Sequence, residues 1–303
     1  MDNQANIAIP VIFDHQGLNL SGDLFKRIYG VSIRFNKDNT EEQSITFEAK
    51  IIRKYSHKDN SWNVQIDKKE LRINDEVPYM ASDEIAYKCW RVFYPLDLNI
   101  SNNWSQKTIT NTEELNKRWV ALKKEFDQEY IDEEVSRWYI NEFDKSIKNP
   151  FLLQTLVDQD IFLAFFFAPL YQVYTPFTLS AKVKMGIPIV PKIMPIQFDV
   201  EQYVLEHYSS FNSITIKQKG MINDGRCVND IVNRRIFPQN EEGEVAEGAY
   251  STQYELDKDT KAIQSIIGDC SIKLPNDEGR SIHIEAYYLS EKDHELVNEK
   301  TKK

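Results

Sequence analysis

Glycine is scarce in this chain: there are 10 in 303 residues, and none falls between Gly30 and Gly186. A phosphate-cradling loop needs glycine where the backbone closes on the anion, so half of the sequence is barred from that chemistry. The stretch "GLNLSGDL", residues 17 to 24, has the spacing G-x-x-x-x-G. Asp23 and Leu24 stand where Lys and then Ser or Thr are required, and an acid there repels phosphate, so the stretch reads as a turn.

Histidine is dispersed as well. His15, His57, His207, His283 and His294 lie far apart in sequence, with none between 57 and 207, so no compact histidine metal motif is present. The carboxylates Glu129, Asp132, Glu133 and Glu134 lack the histidines of a Glu-x-x-His iron site and read as a solvated helix face. Asp158 and Asp160 resemble a carboxylate pair, but residues two apart on a helix do not face each other. No G-x-S-x-G elbow is present, and no metal and no cofactor is expected.

Cys89, Cys227 and Cys270 are odd in number and widely spaced, which describes neither a disulfide framework nor a zinc knuckle. They are expected as buried thiols in a reducing compartment. There is no excess of basic residues: 37 Lys and Arg stand against 47 Asp and Glu, for a net charge of −10. Without a basic stripe, no nucleic-acid partner is expected. The opening "MDNQANIAIPVIFDHQ" lacks a basic n-region, so a cytoplasmic location is expected.

What the chain does have is periodicity. In "SITFEAKII", residues 44 to 52, Ile45, Phe47, Ala49 and Ile51 alternate with polar residues, the pattern of a half-buried strand. Trp62, Val64 and Ile66 repeat it, and "SHKDNS" between them is turn-like. Further β signal is read in residues 86 to 100, with a short helix around "GDLFKRIYG".

The period then changes. Leu115, Trp119, Leu122, Phe126, Tyr130, Val135, Trp138, Phe143 and Ile147 recur mainly at steps of three and four, predicting one long helix over roughly 112 to 147, bent or broken once near 131 to 134. A second begins at Asn149, a good N-cap followed by Pro150. It carries "IFLAFFFAPLYQVY", residues 161 to 174, with six aromatic rings and no formal charge. Pro169 ends the helix near Ala168, and the uninterrupted apolar part, 161 to 168, is far shorter than the roughly 20 residues of a membrane span. No transmembrane segment is expected. A helix apolar nearly all round is buried on more than one side, and Phe162 and Phe166 are its candidates for partner contact.

After Tyr174 strands are predicted at 177 to 185, 213 to 222, 249 to 257, 270 to 274 and 281 to 289, followed by a charged, frayed tail from about 290. The segment "GIPIVPKIMPIQF", residues 186 to 198, is different: Pro188, Pro191 and Pro195 exclude a helix and a central strand. It is either a connection laid over its own domain or an extended apolar arm for a neighbour, with Ile187, Ile189, Val190, Ile193 and Met194 as contact candidates.

The densest polar constellation is "NDGRCVNDIVNRR", residues 223 to 235. Asp224, Arg226 and Asp230, with His207 or His283 supplied by the fold, are the residue types of anion binding or acid–base chemistry. The structural alternative is a turn carrying ion pairs.

The architecture expected is α+β: a β-rich domain over 1–104, a helical segment with two long helices over 105–175, and a β-rich domain over 176–303. The function expected is a non-enzymatic structural or adaptor subunit of a larger cytoplasmic assembly, a complex subunit or oligomer acting by protein–protein interaction through the apolar helix and the proline-spaced arm. The alternatives are a hydrolase or phosphate-ester-handling enzyme using residues 223 to 235, and a binding module for an apolar or aromatic ligand.

Overall fold

The computed structural model describes residues 9–13, 17–22, 24–38, 40–79, 81–101, 107–129, 134–239, 243–274 and 278–290. The strong alternations become strands: β1 (Leu24–Lys37), β2 (Thr40–Ser56), β3 (Ser61–Ile73), β4 (Leu96–Ser101), β5 (Lys107–Ile109), β6 (Ser180–Ile187), β7 (Ile196–Val204), β8 (Ser213–Ile222), β9 (Gly248–Asp257), β10 (Ile263–Lys273) and β11 (Gly279–Tyr288). The helices are α1 (Ala81–Phe93), α2 (Thr112–Glu129), α3 (Glu134–Lys148), α4 (Pro150–Asp158), α5 (Ile161–Phe166) and α6 (Val228–Val232).

The α+β expectation with two long helices is overturned. Strands make up 46% of the structure and helices 25%; among the described residues there is one antiparallel sheet ordered β5-β4-β3-β2-β1-β11-β10-β9-β8-β7-β6 with six short helices. Three local misreadings have physical causes. Residues 24 to 30 belong to β1, where Tyr29, Val31 and Ile33 are buried at period two. Residues 81 to 93 are rich in β-favouring aromatics yet form α1, because Ile85, Cys89 and Val92 share one face at helical spacing. The second long helix divides at Gln159 and Asp160, where the Asp160 carboxylate accepts the Leu163 N–H at 3.0 Å and starts α5. Of the two readings of the proline-spaced segment the structure has the connection: residues 188–195 are a loop that joins β6 to β7, and residues 196 to 198 begin a fully alternating strand.

The predicted Asn149 cap is present, with its side chain accepting from the N–H groups of Phe151 and Leu152 and Pro150 in the first turn. The first predicted long helix is α2 and α3; Tyr130 and residues 131 to 133, where the break was expected, lie outside the described residues, as does the charged tail beyond 290.

The chain forms two units interleaved in sequence. One comprises Met1–Gly22, Lys37–Asn39 and Ala164–Glu285; the other comprises Asp23–Asn36, Thr40–Leu163 and Ala286–Lys303. In the second unit, β2 pairs with β3 (Ile51↔Ile66) and β3 with β4 (Val64↔Leu98), so that Ala49, Ile51, Ile66, Leu96 and Leu98 are buried together. In the same unit α2 buries Leu115, Trp119 and Phe126 and α3 buries Ser136, Ile140 and Ile147, and α1, α2 and α3 pack on one another. In the first unit, β6 to β10 pair in sequence order, and Phe198, Ile214, Ile216, Tyr254 and Ile266 are fully buried. Burying each such side chain contributes on the order of 1.5–3 kcal/mol.

Candidate functional site

The 223–235 segment folds onto itself. The side chains of Asp224 and Arg226 are both buried, and Arg226 donates to Asp224 through Nε at 2.8 Å and Nη2 at 2.6 Å. The same Nη2 donates to the carbonyls of Met194 and Pro195, and Asp224 accepts the Gln197 N–H at 3.0 Å. The pair therefore clamps the end of the 188–195 loop where β7 starts. Burial by itself raises the Asp224 carboxyl, but the hydrogen bonds from Arg226 and the Gln197 N–H outweigh it and hold it below the usual carboxylate range. Asp230 is held down at about 2, first by Arg235, whose guanidinium it meets at 2.9 Å, with the Cys227 and Gln239 N–H groups adding to it.

The histidines expected to complete this constellation lie elsewhere. His207 is exposed and makes an isolated backbone bridge with Pro10. His283 sits on β11 with Nδ1 2.7 Å from Asp269 and Nε2 2.9 Å from Glu285. Among the described residues no group of three metal-ligating side chains is arranged to hold a metal ion.

A second cluster was not singled out by sequence. In the second unit Lys68 is buried and bonded to Asp160, whose carboxylate also accepts the Tyr94 hydroxyl at 2.7 Å. The rings of Phe47, Tyr94 and Phe162 surround the ammonium, with centroids 4.6, 5.0 and 5.4 Å away. Burial lowers the Lys68 pKa against the opposing pull of Asp160, and burial pushes the Tyr94 phenol up. The signal was present: Trp62, Val64 and Ile66 set the inward phase of β3, and Lys68 is its next member. A charge on that phase must find a partner inside.

The first unit holds a third polar group of the same origin. Gln202 and Gln218 occupy inward positions of β7 and β8, and both are buried. Gln202 donates to the Pro169 carbonyl at 3.0 Å and to the Tyr174 hydroxyl at 2.6 Å; Gln218 donates to Gln202 at 2.6 Å. Tyr250 donates to Gln218 at 2.8 Å, and Tyr254 to the Phe165 carbonyl at 3.0 Å. These side chains bind one another and the 165–170 backbone. The buried Cys89 thiol is pushed up to about 12, and burial raises Cys270 further, so neither is an activated nucleophile.

Five of the seven predicted contact residues are buried. Phe162 and Phe166 are buried, as are Ile187, Ile189 and Ile193; Val190 is half-buried, and Met194 is 38% exposed. The apolar groups that reach furthest into solvent include Phe177 (97% exposed), Phe211 (87%), Phe237 (73%) and, on α3, Trp138 (51%). A cleft of about 550 Å³ lies along β6, β7 and β8, lined by Val183, Val200, Gly220 and Met221 together with the charged Lys182, Lys184, Asp199, Glu201 and Lys219, and among the described residues no aromatic side chain borders it. No helix among the described residues is long and apolar enough to cross a membrane. Comparison with protein-family models and with curated proteins gives no match.

Proposed function

We propose that the protein is a non-enzymatic structural or adaptor subunit of a larger cytoplasmic protein assembly, holding its partners through solvent-facing aromatic side chains. One observation carries this reading: Phe177, Phe211 and Phe237 are 73 to 97% exposed although the chain buries most of its other phenylalanines. Aromatic residues supply a disproportionate share of binding energy at protein interfaces, and an exposed phenylalanine contributes nothing to a monomer's core. The engagement of Arg226, Asp224, Lys68 and Asp160 in internal pairs favours the same reading, because those side chains are used to hold loops and strands. The three free, buried cysteines suit a reducing compartment.

The test is native mass spectrometry on the full chain carrying a C-terminal tag and purified from its own cell. The expected result is a defined partner or fixed oligomer that is lost when Phe177 and Phe211 are replaced by Ser. A monomer over a wide concentration range, with nothing bound in either form, overturns the proposal.

A further inference from the structure

Strand β6 ends the sheet order, and among the described residues no strand pairs with its outer side. Its register shows which backbone groups are unpaired. The Val204 N–H donates to the Leu179 carbonyl at 2.8 Å, and the residues that follow pair as Ala181↔Gln202, Val183↔Val200 and Met185↔Phe198. In an antiparallel ladder alternate residues turn their N–H and C=O inward, so Ser180, Lys182, Lys184 and Gly186 direct theirs away from β7. The neighbouring register agrees, since the Asn223 N–H donates to the Gln197 carbonyl and places the odd-numbered residues of β7 toward β8. The opposite end of the sheet order is β5, only three residues long.

The side chains on this edge specify what fits. Across the exposed face the row Lys219, Glu201, Lys182 alternates in sign, and the next row places Asp199 beside Lys184. Both rows end in lysine at the open edge, so a further strand continues the alternation when it brings an acid opposite each. A second copy does the reverse: pairing β6 antiparallel with itself about Val183 sets Lys182 against Lys184, like charge on like charge. Lysines on an edge discourage self-association while leaving the backbone open to an acidic strand.

We propose that β6 is a strand-addition site for an extended acidic segment of a partner protein, with Glu or Asp at alternate positions facing Lys182 and Lys184. The proposal rests on the adaptor reading and assigns it one docking surface.

The probe is a fluorescein-labelled nine-residue peptide of alternating Glu and Val, with an alternating Lys and Val peptide as control, titrated against the full chain by anisotropy while hydrogen exchange follows β6. The expected result is at least tenfold tighter binding of the acidic peptide, slowed exchange of the Lys182 and Lys184 amides, and a reversed preference in the K182E/K184E chain. Methylating the backbone nitrogens on only one of the peptide's two alternating sets abolishes binding. Equal binding of both peptides, an unchanged preference after charge reversal, or self-association through β6 overturns the assignment. A chain that retains its partner in native mass spectrometry but shows no peptide preference keeps the adaptor reading and loses this one. Peptide binding with β6 protected, in a chain without partners, keeps the edge and loses the adaptor reading.

Discussion

Removing either member of the Asp224–Arg226 pair leaves a buried charge without its counter-ion, and Arg226→Met also strips the Met194 and Pro195 carbonyls of their donor. Breaking such a pair costs about 3–5 kcal/mol, so Asp224→Asn and Arg226→Met should each move the urea midpoint sharply. The double variant should lose less than the two singles combined, because the second substitution removes the charge stranded by the first. Asp144 gives a pH test. Burial opposes its ionisation, but hydrogen bonds from Lys148, Trp119 and Lys123 lower it from 3.8 to about 2. Between those values the unfolded chain binds a proton that the folded chain does not, so this contribution is complete above about pH 4 and is lost as pH falls toward 2. Asp144→Asn should flatten that part of the stability curve, followed by urea unfolding at successive pH values.

At the scale of elements, α5 meets the strands of the first unit at Gly268. A Cβ there would stand 2.7 Å from the Phe165 ring and 2.9 Å from the Thr252 hydroxyl. Phe165 is fully buried, so the ring has nowhere to retreat, and Gly268→Ala should cost about 1–3 kcal/mol by overpacking, read as a lowered urea midpoint. The elements also show where sequence periodicity is enough. β8 is found at 213–222 as expected, because Ile214 and Ile216 share one phase of a β-favouring run bounded by turn residues. The face of α3 is not: spacing places Val135 and Trp138 on the Trp119 stripe, yet Ser136, Ile140 and Ile147 are buried and Trp138 faces solvent. A stripe carried across a break loses its phase, and apolarity alone does not show which side of a short helix is covered.

At the scale of the whole molecule the adaptor reading separates binding from folding. Phe177→Ser and Phe211→Ser remove side chains that touch little of their own unit, so each should shift stability by less than about 0.5 kcal/mol in urea unfolding. Partner affinity should fall at least tenfold for either variant if these rings anchor the interface, a difference measurable by titration with the co-purified partner. A large loss of stability would instead make the exposed rings structural.

The sequence by itself determined most of the strands, the capped start of α4 and the burial of most of the 161–168 run, because each depends on neighbours a few residues apart. It also carried an unread signal for Lys68, Gln202 and Gln218, polar residues placed on the apolar phase of strands. Only the tertiary structure decided that the strands join one sheet order, that Lys68 meets Asp160 across 92 positions, and that Ile187, Ile189 and Ile193 belong to the interior while Phe177 and Phe211 do not. Periodicity fixes which residues share a face; what covers that face is a matter of long-range pairing, which local spacing does not encode.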